Sequence, residues 1–186
     1  MGEYTARGGF GASATNNLII NLKKPIDRRD RPEWRYKRQA MVTVARDLRT
    51  ILEQWQIESV TFVPVPPSKA KDDPAYDPRL VQILTRTAKG FEGDVRELIQ
   101  QRTSMAASHE SDRRPEIHEL IANYYIDEAI AHPPRKNVAI FDDLLTTGRH
   151  YKAMQAMLSE RYPEAMIYGL FVARRIPNTD DVGALF

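Results

Sequence analysis

The stretch Val138-Ala139-Ile140-Phe141-Asp142-Asp143-Leu144-Leu145-Thr146-Thr147-Gly148-Arg149-His150 decides how the rest of the chain is read. Four apolar residues without polar alternation describe a strand buried on both faces, the kind found in parallel sheets covered by helices. Two carboxylates follow at the point where such a strand leaves its sheet. A hydroxyl and glycine turn comes next, and beyond it Tyr151, Met154, Met157 and Leu158 recur at helical spacing.

Each part of this order has a chemical use. Amides at a helix start lack intrahelical partners and carry partial positive charge, so Leu144 to Gly148 can wrap a phosphate with help from the Thr146 and Thr147 hydroxyls. Gly148 permits close approach or a positive φ. Adjacent carboxylates repel a phosphate, but they accept hydrogen bonds from a sugar diol and hold a hard cation through its water shell. The pattern implies a phosphorylated ribose with magnesium.

The run from Ala139 to Gly148 resembles the phosphoribosyl pyrophosphate (PRPP) signature of type I phosphoribosyltransferases. The resemblance implies that Asp142 and Asp143 bind the ribose hydroxyls, touching Mg²⁺ only through water or ribose oxygens. It also implies that Leu144, Leu145, Thr146, Thr147 and Gly148 bind the 5′-phosphate. His150 stands where that family usually has Thr or Ser, and imidazole can still donate to phosphate. The implied fold is α/β: a doubly wound, mostly parallel sheet with helices on both faces.

Working outward, 186 residues with 42% hydrophobic and 28% charged content fit one compact domain. Cysteine is absent, which excludes disulfides and thiolate zinc sites. His109, His118, His132 and His150 show no metal-ligand spacing. Apolar runs are too short to span a membrane and no secretory apolar core lies near the N-terminus, so a cytoplasmic protein is expected. Net charge is only +2, yet Lys23 to Arg49 holds ten basic and four acidic residues. Such asymmetry suits either a solvated helix face or a nucleic-acid surface.

Residues 1–17 read as a small, polar, mobile segment, with the single domain running from 18 to 186. Asn17 to Leu22 reads as a short edge strand. Asp30 and Glu33 have capping-box spacing before a helix to about Gln56, whose stripe of Met41, Val44, Leu48, Ile51, Leu52 and Trp55 faces the core. Ser59 to Val65 is β-branched and aromatic, read as the first parallel strand. It runs into Pro64-Val65-Pro66-Pro67-Ser68-Lys69-Ala70-Lys71, a loop by its prolines.

That segment is similar to the pyrophosphate loop of the ComF-like branch of the family, which makes Ser68, Lys69 and Lys71 expected pyrophosphate contacts. The branch's usual Arg-Gly-Phe-Asn continuation is missing, and Tyr76-Asp77-Pro78-Arg79 stands in its place. Lys69, Lys71 and Arg79 all remain open as the group that neutralises the leaving group. Asp77-Pro78 opens a helix with Leu80, Ile83, Leu84 and Ala88 inward, stopped by Gly90. Val95 to Gln100 fits strand or helix, and the fold analogy favours a strand.

Gln101 to Arg114 is a polar loop long enough to be functional or disordered. Family members carry a mobile lid here, which would place Arg102, Thr103 and Arg113 or Arg114 near the reacting centre, with Arg102 and Arg114 as the catalytic arginines. Ile117, Leu120 and Ile121 mark a short helix, Tyr124 to Ile126 a strand, Tyr151 to Arg161 a helix and Met166 to Ala173 the last buried strand. Arg174 and Arg175 would then stand at the crevice end.

The resemblance implies an enzyme, a Mg²⁺-dependent phosphoribosyltransferase that moves the 5-phosphoribosyl group to an unidentified acceptor and releases pyrophosphate. Its partner would be PRPP or a ribose 5-phosphate nucleotide, with no membrane partner and room for a homodimer. The alternative is a non-catalytic PRPP or nucleotide sensor that binds nucleic acid through its basic N-terminal third.

Overall fold

The structure, a computed structural model, describes residues 2–55, 59–90, 93–105 and 115–177. Its centre is a five-stranded, all-parallel sheet in the order β1-β7-β6-β2-β3: β1 Gly2–Thr5, β2 Val60–Pro64, β3 Gly93–Val95, β6 Asn137–Leu145 and β7 Met166–Ile176. A separate antiparallel pair joins β4 (Ile99–Gln101) to β5 (Tyr124–Ile126). Among the described residues five α-helices accompany the sheets: α1 Ala14–Leu22, α2 Trp34–Gln54, α3 Arg79–Ala88, α4 Ile117–Asn123 and α5 Arg149–Arg161. Helix α2 packs against both α1 and α3, and α4 contacts α5.

The central strand behaves as its apolar run requires. Val138, Ala139, Ile140 and Phe141 are each at most 1% exposed, because β2 and β7 flank β6 and helices cover it. One contiguous core joins Leu22, Leu48, Phe62, Leu84, Leu120, Ile140 and Leu158. On β7, Gly169 lets the Tyr151 and Phe171 rings meet edge to face at 5.9 Å, since a Cβ there would lie 2.6 Å from Phe171.

Several expectations are corrected. The N-terminus is part of the sheet rather than a free tail: β1 pairs in parallel with Ala173 to Ile176, which makes Ser59 to Val65 the second strand in the chain. Asn17 to Leu22 is helical, because Ser13 caps α1 by accepting the Asn16 amide at 3.0 Å, and the Ile19 and Leu22 side chains fall on one buried face. Asn16, fully buried, then locks the helix to β1 by exchanging two 2.9 Å hydrogen bonds with the backbone of Thr5.

The capping box at Asp30 does not form. Turns across Arg31 to Glu33 precede the helix, whose first residue is Trp34 and whose N-terminal position, Glu33, caps nothing with its side chain. At the far end the helix stops at Gln54, so Trp55 leaves the apolar stripe and is 63% exposed. Val95 to Gln100 is two elements, the end of β3 and the start of β4, separated by a buried Arg96. Arg174 and Arg175 lie within β7 and are exposed, with Arg174 paired to Glu3 of β1.

Candidate functional site

Topology singles out one place in this sheet. From β2 the chain runs to β3 on one side, returns to β6 on the other and continues outward to β7, so the order reverses between β2 and β6. Ligands of open α/β sheets settle at such a reversal, beyond the carboxyl ends of the strands. Here the two strands stay paired up to Pro64 and Phe141, and the Val65 amide donates to the Phe141 carbonyl at 2.9 Å. Pro66 and Pro67 then carry the chain away without amides for the ladder. Asp142 and Asp143 are the first residues past the split.

Alternation along the strand sends the two carboxylates to opposite sides. Asp143 is 1% exposed and meets two cations. Arg79, at the start of α3, donates from Nε and Nη2 to Oδ2 at 2.9 and 2.7 Å, and Lys23 Nζ lies 3.0 Å from Oδ1. Burial alone would raise this carboxyl, but Lys23 and Arg79 outweigh it and hold Asp143 well below the usual carboxylate range. Arg79 also reaches Asp77 Oδ2 at 3.1 Å, where the buried Lys37 donates at 2.6 Å while making a second 2.6 Å bond to the Lys24 carbonyl. Burial lowers the Lys37 pKa despite Asp77. Lys37, Asp77, Arg79, Asp143 and Lys23 thus form a chain of alternating charge that fastens α1, α2 and α3 to the end of β6.

Asp142 faces a different environment. Its Oδ1 accepts the Asp143 amide at 2.8 Å, and among the described residues the second oxygen has no hydrogen-bond donor. Burial, and then the neighbouring Asp143 charge, push its carboxyl up to about 6. His150, in the first turn of α5, places Nδ1 2.6 Å from the Tyr124 hydroxyl and is pushed down to about 4 by burial and by Lys23. The imidazole is therefore neutral at pH 7. The Tyr124 hydroxyl is shifted upward by burial and by the Asp142 charge.

The anion turn is shorter than expected. Leu144 and Leu145 remain in the strand, paired with Ala173 and Arg174, so the turn consists of Thr146, Thr147 and Gly148. Both threonines are exposed, and Gly148 takes a left-handed φ of 73° immediately before α5. Having no side chain, Gly148 cannot cap the helix, so the first amides of α5 depend on an outside acceptor or water.

The loop after β2 is held against β4. Gln101 donates to the Pro67 carbonyl, the Met105 amide to Ser68 O at 2.7 Å, and the Ala70 amide to Ser104 Oγ at 3.0 Å. Lys71 lies 3.1 Å from Glu97, and the half-buried Lys69 acts on Asp73. Arg102, just past β4, sits 5.4 Å from the Tyr125 ring. Among the described residues no hydrogen bond or ion pair joins Ser68, Lys69, Lys71 or Arg102 to the acidic pair. Arg113 and Arg114 lie outside the described residues.

The tertiary structure thus brings Asp142, Asp143, Gly148 and His150 together and adds Lys23 and Tyr124, which no sequence signal marked, and Arg79, noted only as a loop alternative. Among the described residues no group of three or more His, Cys, Asp or Glu side chains forms a metal cage. No described helix is long and apolar enough to cross a membrane. The chain matches no protein-family model and no curated protein sequence.

Proposed function

We propose that this protein binds PRPP with Mg²⁺ on a doubly wound, type I phosphoribosyltransferase-like fold and transfers its 5-phosphoribosyl group to an acceptor in the cytoplasm, releasing pyrophosphate. One observation carries the reading: an acidic pair at the β2/β6 reversal, followed within a few residues by a left-handed glycine turn and an uncapped helix start. Sugar and phosphate ends of one ligand have matching receptors at that spacing. The 5′-phosphate takes the amides of Thr147 to His150 and the threonine hydroxyls, and the open Asp142 oxygen accepts from a ribose hydroxyl. Asp143 stands behind as an ion-paired support.

This donor set fits Mg²⁺ only indirectly. Both Asp143 oxygens are engaged and one Asp142 oxygen is taken, so the pair would steady a cation that the ligand's own oxygens coordinate. Bound there, the cation would supply charge neutralisation to the pyrophosphate. Lys69 and Lys71 extend the same neutralisation from the β2 loop, Lys71 after exchanging Glu97 for phosphate. The C1–O bond breaks with its electron pair leaving on pyrophosphate, and the acceptor forms the new bond from the opposite face.

Thermal unfolding with PRPP and Mg²⁺ tests the reading. Ligand at about a hundred times Kd adds roughly 2.7 kcal/mol, a rise in Tm of roughly 5–11 °C at this chain length. Lys69→Ala and Lys71→Ala should weaken PRPP more than ribose 5-phosphate. Absence of any shift with PRPP, ribose 5-phosphate or a nucleoside monophosphate would remove the site assignment. A shift without pyrophosphate release across purine, pyrimidine and amine acceptors would turn the enzyme into a sensor.

A further inference from the structure

A second charged feature lies on the outer side of the α1–α3 helical group, independent of the PRPP reading. Arg35 and Arg38 project from the first turns of α2 into a broad depression shared with Arg29 and, from α3, Arg86. Lys37 and Trp34 also line it. Lys37 is neutralised by Asp77, but Arg29, Arg38 and Arg86 make no ion pair among the described residues, and Arg35 donates only to the Tyr36 hydroxyl. Elsewhere on the same helix exposed arginines are balanced, as Arg46 is by Asp47. Uncompensated cations crowded on a concave surface repel one another, and a polyanion relieves that repulsion.

We propose that this depression binds single-stranded nucleic acid. Arg35 and Arg38 stand one helical turn apart, about 5 Å along the axis, with Arg29 and Arg86 on the flanks. The positive charge is therefore distributed over several phosphates of a strand rather than focused on one. Trp34 supplies an aromatic wall, and Lys37 Nζ lies 5.1 Å from its ring. A basic groove with an aromatic platform recognises unpaired bases by stacking, without sequence preference. A duplex keeps its base faces covered and gains nothing from Trp34.

Fluorescence anisotropy with a labelled oligothymidylate measures the binding. The expected affinity falls with salt at a log–log slope of roughly −2 to −3, as for three or four neutralised phosphates on a single strand. Combined Arg35→Glu, Arg38→Glu and Arg86→Glu should weaken binding at least about tenfold, since several phosphate contacts are lost together. Arg46→Glu, outside the depression, should change it less than about twofold. Trp34→Ala should weaken binding and Trp34→Phe retain it. All these arginines are exposed or line open surface, and circular dichroism confirms that the variants fold. The proposal is overturned by absent binding at low salt, by equal loss in Arg46→Glu, by equal affinity for duplex, or by polyglutamate competing as well as the oligonucleotide.

Discussion

Arg79 donates two hydrogen bonds to a single oxygen of Asp143, leaving the other oxygen to Lys23, and so turns one member of the acidic pair into an anchor for the surrounding helices. Its neighbour Asp142, one residue away and on the opposite side of the strand, meets no cation at hydrogen-bond distance among the described residues. Two identical side chains therefore sit in different settings: Asp143 ties Arg79 and Lys23 to the end of β6, whereas Asp142 accepts one backbone amide.

The first prediction separates the two by stability. Asp143→Asn strands Arg79 and Lys23 beside a neutral amide, and breaking a buried pair costs about 3 kcal/mol, at the lower end of the usual range because Asp77 still holds Arg79. For this length Tm should fall by about 6–12 °C. Asp142→Asn at pH 7.5 should cost less than about 1 kcal/mol, since it removes a charge that burial already disfavours. Arg79→Met with Asp143→Leu should be less damaging than the sum of the single changes, because neither then leaves a lone charge. Equal losses for the two Asn variants would refute the anchoring role.

The second prediction concerns acid. Asp142, raised from 3.8 to about 6, contributes stability that is full below 3.8 and lost as pH rises through 6. His150, lowered from 6.5 to about 4, contributes stability that is full above 6.5 and lost as pH falls through 4. The two windows overlap with opposite sign, so between pH 6.5 and 4 their effects oppose in the wild type. Asp142→Asn should expose the histidine and lose Tm on acidification more steeply than wild type. His150→Gln should expose the aspartate and lose Tm less steeply, or gain it. Parallel Tm profiles for the three proteins across that range would contradict the assignment.

The third prediction isolates the turn. Space for a Cβ exists at Gly148, where the nearest side-chain atom would be Leu145 Cδ1 at 3.6 Å. Among the described residues the left-handed φ of 73° is therefore the obstacle, costing roughly 1–2 kcal/mol for an L-residue. Gly148→Ala should lose that stability by denaturant titration and should weaken inorganic phosphate or ribose 5-phosphate binding further by shifting the amides. Unchanged stability would show that the turn is not held in this conformation.

Much of this arrangement is legible without coordinates where neighbours in sequence do the work. The buried run Val138 to Phe141, the split at Asp142, the glycine turn and the α5 stripe lie within two dozen consecutive residues, and each is dictated by backbone geometry or by which face a side chain can bury. The errors fall where a distant partner competes with a local pattern. Leu18, Ile19 and Ile20 look like an edge strand, yet the Ser13 cap and the lock between Asn16 and Thr5 make them helical. Leu144 and Leu145 look like loop, yet Ala173 and Arg174 extend the ladder to meet them.

Sequence alone determined the order strand, acid pair, turn, helix, because periodicity, buried apolar runs and glycine's access to positive φ are properties of adjacent residues. Only the tertiary structure decided which acid is ion-paired. The partners of Asp143 are Arg79, 64 residues earlier, and Lys23, earlier still, and no spacing rule links them. They meet because α1 and α3 pack beside α2 while the sheet reverses its order at β6, and electrostatic pairing follows distance in space rather than distance along the chain.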